Sequence, residues 1–434
     1  MKLPLALLFI LGASIAPSAT AQTEFPATSS KEWKDEPAFP GLDASDDLQT
    51  FGLSLLKKGL AARKGNLCLS PYAAALSLTR LIPKATSVEL HRILDNLPQT
   101  GTLRDIRATT FLSLQAADRL FVDTRFPFKH DYTLTLYHAK QPREIITALD
   151  IATSPEQSRQ TIRRQLEPLA HKNGEKELLP GDITDRSALM AWNTAWIENK
   201  WNTPFPPQST RHRAFFPEHG KTAYVPTMHH IVSHPLLLSP DCSAIELNYA
   251  PDSALLAKEH RESLCSNFTP SQPGSMIIIL PPENTTIDHF VQNLTVDKIA
   301  QIRRKLMEAR HGAKPVSLTL PRFQTNTSVD LLPSLTALGM NSELSEQSAF
   351  ATIFTTEKPP AISGIFQNCG IDISEQGTNT RTGEQGIPAA ASHTLQDEQN
   401  AITFEINRPF LWIIVPHDDH SRSPALFMGI VREP

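Results

Sequence analysis

The sequence lacks the signatures that would point to catalysis or to a charged partner. No Gly-x-Ser-x-Gly elbow, phosphate-binding glycine loop or Cys-x-x-Cys pair occurs in its 434 residues, which argues against an enzyme. The formal charge is -4, the wrong sign to draw the chain toward nucleic acid or another polyanion. No internal repeat is present, and the apolar stretch at residues 3–16 is too short and too poorly flanked to span a bilayer. His229, His230 and His234 cluster, but they lack the i, i+4 helical pair and partnering Glu of a zinc protease. Neither a metal nor a cofactor is expected.

Hydrophobic residues make up 40% of the chain, ample for a packed core, while 35 prolines imply many turns and few long helices. The length alone allows two or three domains. Met1-Lys2, an apolar core and Ala19-Thr20-Ala21 have the form of a secretory signal, with cleavage expected before Gln22. Residues 1–21 are therefore read as a signal peptide and 22–41 as a polar, proline-punctuated tail. Export makes the protein secreted or extracellular, or periplasmic in a bacterium, and permits disulfides among the four cysteines.

A first helix is expected from Ser45, with Leu48, Phe51, Leu55 and Leu56 on one face. A short strand follows at residues 66–69, and Ser70-Pro71 is a strong helix start. Thr153-Ser154-Pro155-Glu156 opens another helix through Ile162 and Leu166. Residues 188–201 are apolar on both parities, which predicts a strand covered on both faces. Its one polar interior residue, Asn193, then needs hydrogen-bond partners. Arg303, Arg304, Lys305 and Arg310 are read as a solvated helix face.

The C-terminal residues carry the strongest organisation. Ile371-Asp372-Ile373-Ser374 reads as a strand, residues 375–402 as a polar tract, and residues 404–415 and 425–431 as two apolar strands. So long a polar tract held between strands is usually functional or disordered, and this one has the character of an exposed bait loop.

Glu375-Gln376-Gly377-Thr378 resembles the loop hinge of serpins, residues 404–414 resemble their C-terminal signature, and residues 426–431 their last strand. Further matches at residues 66–72, 192–205, 225–229 and 318–323 follow in the family's order. Trp412 departs from the pattern, standing where a smaller apolar residue is usual. The resemblance implies a single α+β domain over residues 42–434, with a large central mixed sheet, two further sheets, about eight or nine helices and an exposed reactive loop. It also implies that Ser70, Asn193, Trp201 and Gln367 belong to the shutter and breach regions where the central sheet opens. Gln367 falls where many members carry a His, so such a network would lack a group titrating near neutral pH.

By the same resemblance the chain is a suicide inhibitor of serine proteases and a monomer. Residues 104–119 are too short and weakly basic for a glycosaminoglycan-binding helix, which argues against heparin regulation. Counting from the hinge Glu by the family's spacing places the scissile bond at Ala391-Ser392; counting back from Pro409 points to Leu395 instead. The residues before Ala391 suit elastase-like or subtilisin-like proteases. If Thr378 faces inward, so do Thr380, Thr382 and Glu384. The threonines enter a sheet easily, whereas Glu384 is costly to bury. Together with Arg381 and the long loop, it supports the alternative of a non-inhibitory binding protein, carrier or chaperone. Cys242 and Cys265 flank what the resemblance marks as an inserted loop, and a bridge between them is expected.

Overall fold

A computed structural model describes residues 44–62, 64–81, 112–133, 146–167, 182–251, 273–340, 353–379, 399–416 and 425–434. They lie within one compact unit, Leu42–Pro434. Its centre is a seven-stranded mixed sheet in the order β3 (Ile146–Leu149), β2 (Leu114–Asp123), β4 (Leu189–Ile197), β13 (Ile362–Ser374), β14 (Gly377–Thr378) and β5 (Asn199–Lys200), with β12 (Phe323–Asp330) on the other side of β13. β4 and β13 run parallel, paired from Ile362↔Leu189 through a one-residue register shift at Ser363 to Cys369↔Ala195.

The apolar run of β4 is buried on both faces, as its double parity predicts. On one face, Met190 and Trp192 pack with Phe121, Phe366 and two residues of helix α3 (Pro155–Leu166), Ile162 and Leu166. On the other face, Leu189, Ala191 and Ala195 join the main core with helices α1 (Ala44–Ala62) and α2 (Pro71–Leu81). Leu48, Phe51, Leu55 and Leu56 of α1 are all buried in that core. α2 begins at the expected serine, whose Oγ accepts from the Ala73 amide at 3.2 Å.

A six-stranded sheet runs β1 (Leu67–Leu69), β17 (Phe427–Val431), β16 (Phe410–Pro416), β10 (Gly274–Leu280), β9 (Ser243–Asn248) and β8 (Leu236–Leu238). A four-stranded sheet runs β15 (Ile402–Glu405), β11 (Lys314–Pro321), β7 (Ala223–His234) and β6 (Arg211–Phe215). The single strand expected over residues 404–415 is thus two strands in two sheets. Asn407, Arg408 and Pro409 separate them, and Pro409 has no amide to continue a ladder. Trp412, fully buried, pairs across the ladder with Gly429. A methyl group at Gly429 would come within 2.5 Å of the indole, so the glycine supplies the room the large ring needs.

After the short helix α4 (Ile287–Asn293) comes α5 (Val296–Arg310), where Arg304 and Lys305 are exposed as expected but Arg303 and Arg310 depart from a solvated face. Arg303 is buried, and Arg310 forms a forked pair with buried Glu246, at 2.6 and 3.0 Å. A helix face beside a buried carboxylate recruits its cations inward, which charge spacing alone does not reveal.

Candidate functional site

The hinge is not the start of a free loop. β13 ends at Ser374, turns through Glu375-Gln376 and returns as β14, which pairs with β13 (Ile373↔Thr378, Ser374↔Gly377) and with β5 (Gly377↔Lys200, Thr378↔Asn199). The chain has wedged one short strand between β13 and β5. Gly377 has φ +151°, and a side chain there would meet the Asn199 carbonyl at 2.1 Å, so glycine is required by both conformation and space. Thr378 is 0% exposed. Its hydroxyl lies 2.7 Å from the Tyr249 hydroxyl.

Aromatic rings floor this seat. Trp201 stacks on Tyr249 with centroids 4.8 Å apart, while its amide donates to Gln376 O and its indole N–H to Ser374 O, both at 2.9 Å. The Phe205 amide donates to Glu375 O at 2.9 Å, and the Phe205 ring stacks on His230 at 3.9 Å. His230 and His234 meet through their Nε2 atoms at 2.9 Å. Burial, with the neighbouring histidines, lowers His230 to about 2; burial also lowers His234 to about 4, partly offset by Glu246. Both are neutral side chains of the packing.

The Glu375 carboxylate accepts from Arg322 (2.5 and 2.9 Å) and from Thr210 Oγ1 (2.5 Å). Burial works to raise its pKa, but the bonds from Arg322 and Thr210 outweigh it and hold the group below its ordinary value. Arg322 sits in the chain between β11 of the four-stranded sheet and β12 of the central sheet, so the pair ties the hinge turn to the link between those two sheets.

Beyond Thr378, Asn379 takes the left-handed conformation, φ 52°. Its amide N–H donates to Asp372 O at 2.7 Å, its Oδ1 accepts from Asp372 N at 2.8 Å, and its Nδ2 donates to Ile197 O at 2.8 Å and Gly370 O at 3.4 Å. One side chain therefore spans β13 and β4 where their direct pairing has ended.

Lower in the sheet, Gln367 and Asn193 are register partners, and Gln367 Nε2 donates to Asn193 Oδ1 at 3.1 Å. The Gln367 amide also exchanges two 3.0 Å bonds with the Ser70 backbone, and Ser70 Oγ donates to Leu426 O at 2.7 Å. Asn193 Nδ2 donates to Asp118 Oδ1 at 2.7 Å, an oxygen that also accepts from Ser77. The network links α2, β2, β4 and β13.

Ser70, Asn193 and Gln367 thus come together in the sheet, while Trp201 joins Glu375, Gln376, Gly377 and Thr378 at its upper end. Thr380, Thr382, Glu384, Ala391, Ser392 and Leu395 lie outside the described residues, as does Cys265. Cys242 is a buried free thiol among the described residues, and its expected bridge partner Cys265 lies outside them. Its main chain closes the tight turn from Ser239, and its side chain is buried with the main core. Cys68 and Cys369 are also buried free thiols, with sulfurs 3.0 Å apart. The sequence alone does not point to Thr210, Tyr249, Arg322, Asp118 or Asn379. The first three are distant in sequence from the hinge and reach it only through the sheet packing. Asp118 stands beside Arg119 in a strand that ends at Asp123, so its charge alone does not single it out.

The centre of the molecule is thus a mixed sheet whose two parallel central strands are held by a polar network and parted at one end by the short strand β14. The family described as serpin (serine protease inhibitor) matches residues 46–434, and the chain belongs to it. An uncharacterised serpin-like protein of Methanosarcina mazei is 24% identical, over 85% of this chain and 82% of its own. Among solved structures, mouse protein Z-dependent protease inhibitor superposes with TM-score 0.67 at 19% identity, covering 90% of this chain and 97% of its own. Uncleaved ovalbumin gives TM-score 0.68 at 17% identity, covering 90% and 100%. The expected α+β serpin fold with its three sheets is the fold of this chain.

Proposed function

We propose that the protein is an exported suicide inhibitor of serine proteases of elastase-like or subtilisin-like specificity. The observation that carries this reading is the seated hinge. Thr378 is buried between β13 and β5, so strand insertion would extend an existing pairing rather than nucleate a new one. A target protease would attack the Ala391 carbonyl with its serine, expel the Ser392 amine and form an ester to Ala391. Before water cleaves that ester, the severed loop would enter between β4 and β13 and drag the protease away. About ten new ladder bonds at roughly 1 kcal/mol each would drive the step on the order of 10 kcal/mol. The Gln367–Asn193 network is placed to act as the shutter that must part. Loop insertion as an added strand is common to serpins; what is particular to this chain is the set of residues that would carry it.

One observation favours a non-inhibitory carrier. With Thr378 inward, strict alternation turns Glu384 inward as well. Burying it unpaired would cost several kcal/mol and slow insertion midway.

Incubation with elastase or subtilisin tests the reading. An SDS-stable complex and release of a C-terminal peptide beginning at Ser392 are expected. A peptide beginning at Gln396 would move the bond to Leu395. Clean cleavage with no complex would leave the carrier reading.

A further inference from the structure

We propose that Asn379 is a latch on strand insertion: its side-chain amide takes the place of a peptide group of the incoming strand and must let go before the loop can advance. β13 is paired with β4 as far as Cys369 and with β14 from Ile373. The stretch between has Gly370 O, Asp372 N and Asp372 O on one side and Ile197 O on the other, and Asn379 bonds to all four. The side chain offers one acceptor and one NH2 group, and both are used across the gap. A strand peptide would supply the same chemistry there.

The backbone reinforces this arrangement. Asn379 is the only non-glycine among the described residues with a positive φ, and Asn is one of the few side chains that tolerate that region. To continue β14, residue 379 must become extended and point away from the face that Thr378 occupies. Every side-chain bond it makes across the gap is then broken. These bonds stabilise the uncleaved state and contribute nothing to the inserted one, so they raise the barrier to insertion without weakening its product. This use of the latch rests on the inhibitory reading, since premature insertion would spend the inhibitor without a target.

Three variants of the full chain test it. Asn379→Ala removes both the amide and the left-handed preference. Asn379→Gly removes the amide but keeps the backbone freedom, and Asn379→Asp removes only the donors to Ile197 and Gly370. Each is to be melted uncleaved and after loop cleavage by subtilisin, and the uncleaved proteins are to be warmed while resistance to urea reports spontaneous insertion. All three variants should melt earlier than wild type when uncleaved and at the wild-type temperature when cleaved. Asn379→Ala should insert roughly tenfold faster or more, equivalent to about 1.4 kcal/mol of barrier.

Equal destabilisation of both forms, or an unchanged insertion rate, would reduce Asn379 to a structural residue and leave the inhibitory reading intact. Wild-type loop behaviour of Asn379→Gly would likewise overturn the role of the amide. If cleavage gives the wild-type protein no added stability, insertion itself fails and the latch with it. If cleavage stabilises and the variants behave as expected but no protease is trapped, the latch stands and the inhibitory reading falls.

Discussion

The hydroxyls of Thr378 and Tyr249 meet at 2.7 Å in a fully buried pocket, so the first inward-facing residue after the hinge glycine is already docked in the uncleaved chain. On the proposed inhibitory reading, insertion would start from an occupied seat. The pocket is sized for a threonine: Tyr249 stacks on Trp201, and both rings are buried. Whatever stands at position 378 must fit there before the loop is ever cut.

Thr378→Arg should therefore act in both states. The seat is closed to solvent and lies beside Tyr249, Asn199 and Ile373, none of them anionic. A long cation cannot be accommodated there, so the hinge strand should leave the sheet. The uncleaved variant should melt below wild type, its loop should still be cut by subtilisin, and the cut product should gain little stability. Trapping should be lost, with inhibitor converted to substrate. A variant that forms as much SDS-stable complex as wild type would show that insertion does not pass through this seat.

Arg322→Met should loosen the turn before the hinge. It leaves the Glu375 carboxylate buried with Thr210 as its remaining side-chain donor among the described residues. Because the guanidinium is about half exposed (47%), the loss should be about 1–2 kcal/mol, below that of a fully buried pair. The pair also sets a pH dependence. Glu375 is lowered in the fold, so its contribution is present above the unfolded carboxyl pKa and is lost as pH falls through the folded value. Urea midpoints measured from neutral to acid pH should fall more steeply in wild type than in Arg322→Met.

Much of the frame was legible because its determinants are local. The double-parity apolar run marked β4, Ser70-Pro71 marked the start of α2, and the hinge motif marked where β13 ends. Asn193 announced a buried polar partner as an amide inside that largely apolar run, and Gln367 proved to face it in register. What escaped was set by juxtaposition. Nothing near Glu375 in the sequence indicates that Arg322 and Thr210 converge on it, and Asn379 looks like an ordinary loop residue until the gap between β4 and β13 is seen. The same limit explains α5, whose basic residues read as solvated until Glu246 is found beneath Arg310.

Thiol chemistry should report the packing directly. Cys68, Cys242 and Cys369 are buried, and burial pushes the Cys242 and Cys369 thiols up, Cys369 further by its contact with Cys68. Since the thiolate is the reactive form, these positions should resist alkylation in the native protein at about pH 8 and react within minutes in denaturant without any reductant. Peptide mapping reads each site separately. A linked Cys242–Cys265 peptide under non-reducing conditions would instead restore the bridge expected from the sequence.

The histidine pair under the hinge should make stability fall in mild acid. His230 and His234 are lowered to about 2 and about 4 by burial, whereas an unfolded histidine titrates near about 6.5. Between those values the unfolded chain binds protons that the folded chain does not, so stability rises with pH and is fully present only above the unfolded value. As pH falls from neutral toward about 4, each histidine should remove up to about 1.4 kcal/mol per pH unit. His230 stacks on Phe205, whose amide holds the Glu375 carbonyl, and His234 contacts His230, so the loss should be felt at the hinge as well as globally. Urea midpoints taken at intervals from about pH 7.5 to about pH 5 measure the slope, and the doubly substituted His230→Leu, His234→Leu protein should show a flatter profile over that window. Matching slopes in the two proteins would assign the acid sensitivity to other groups.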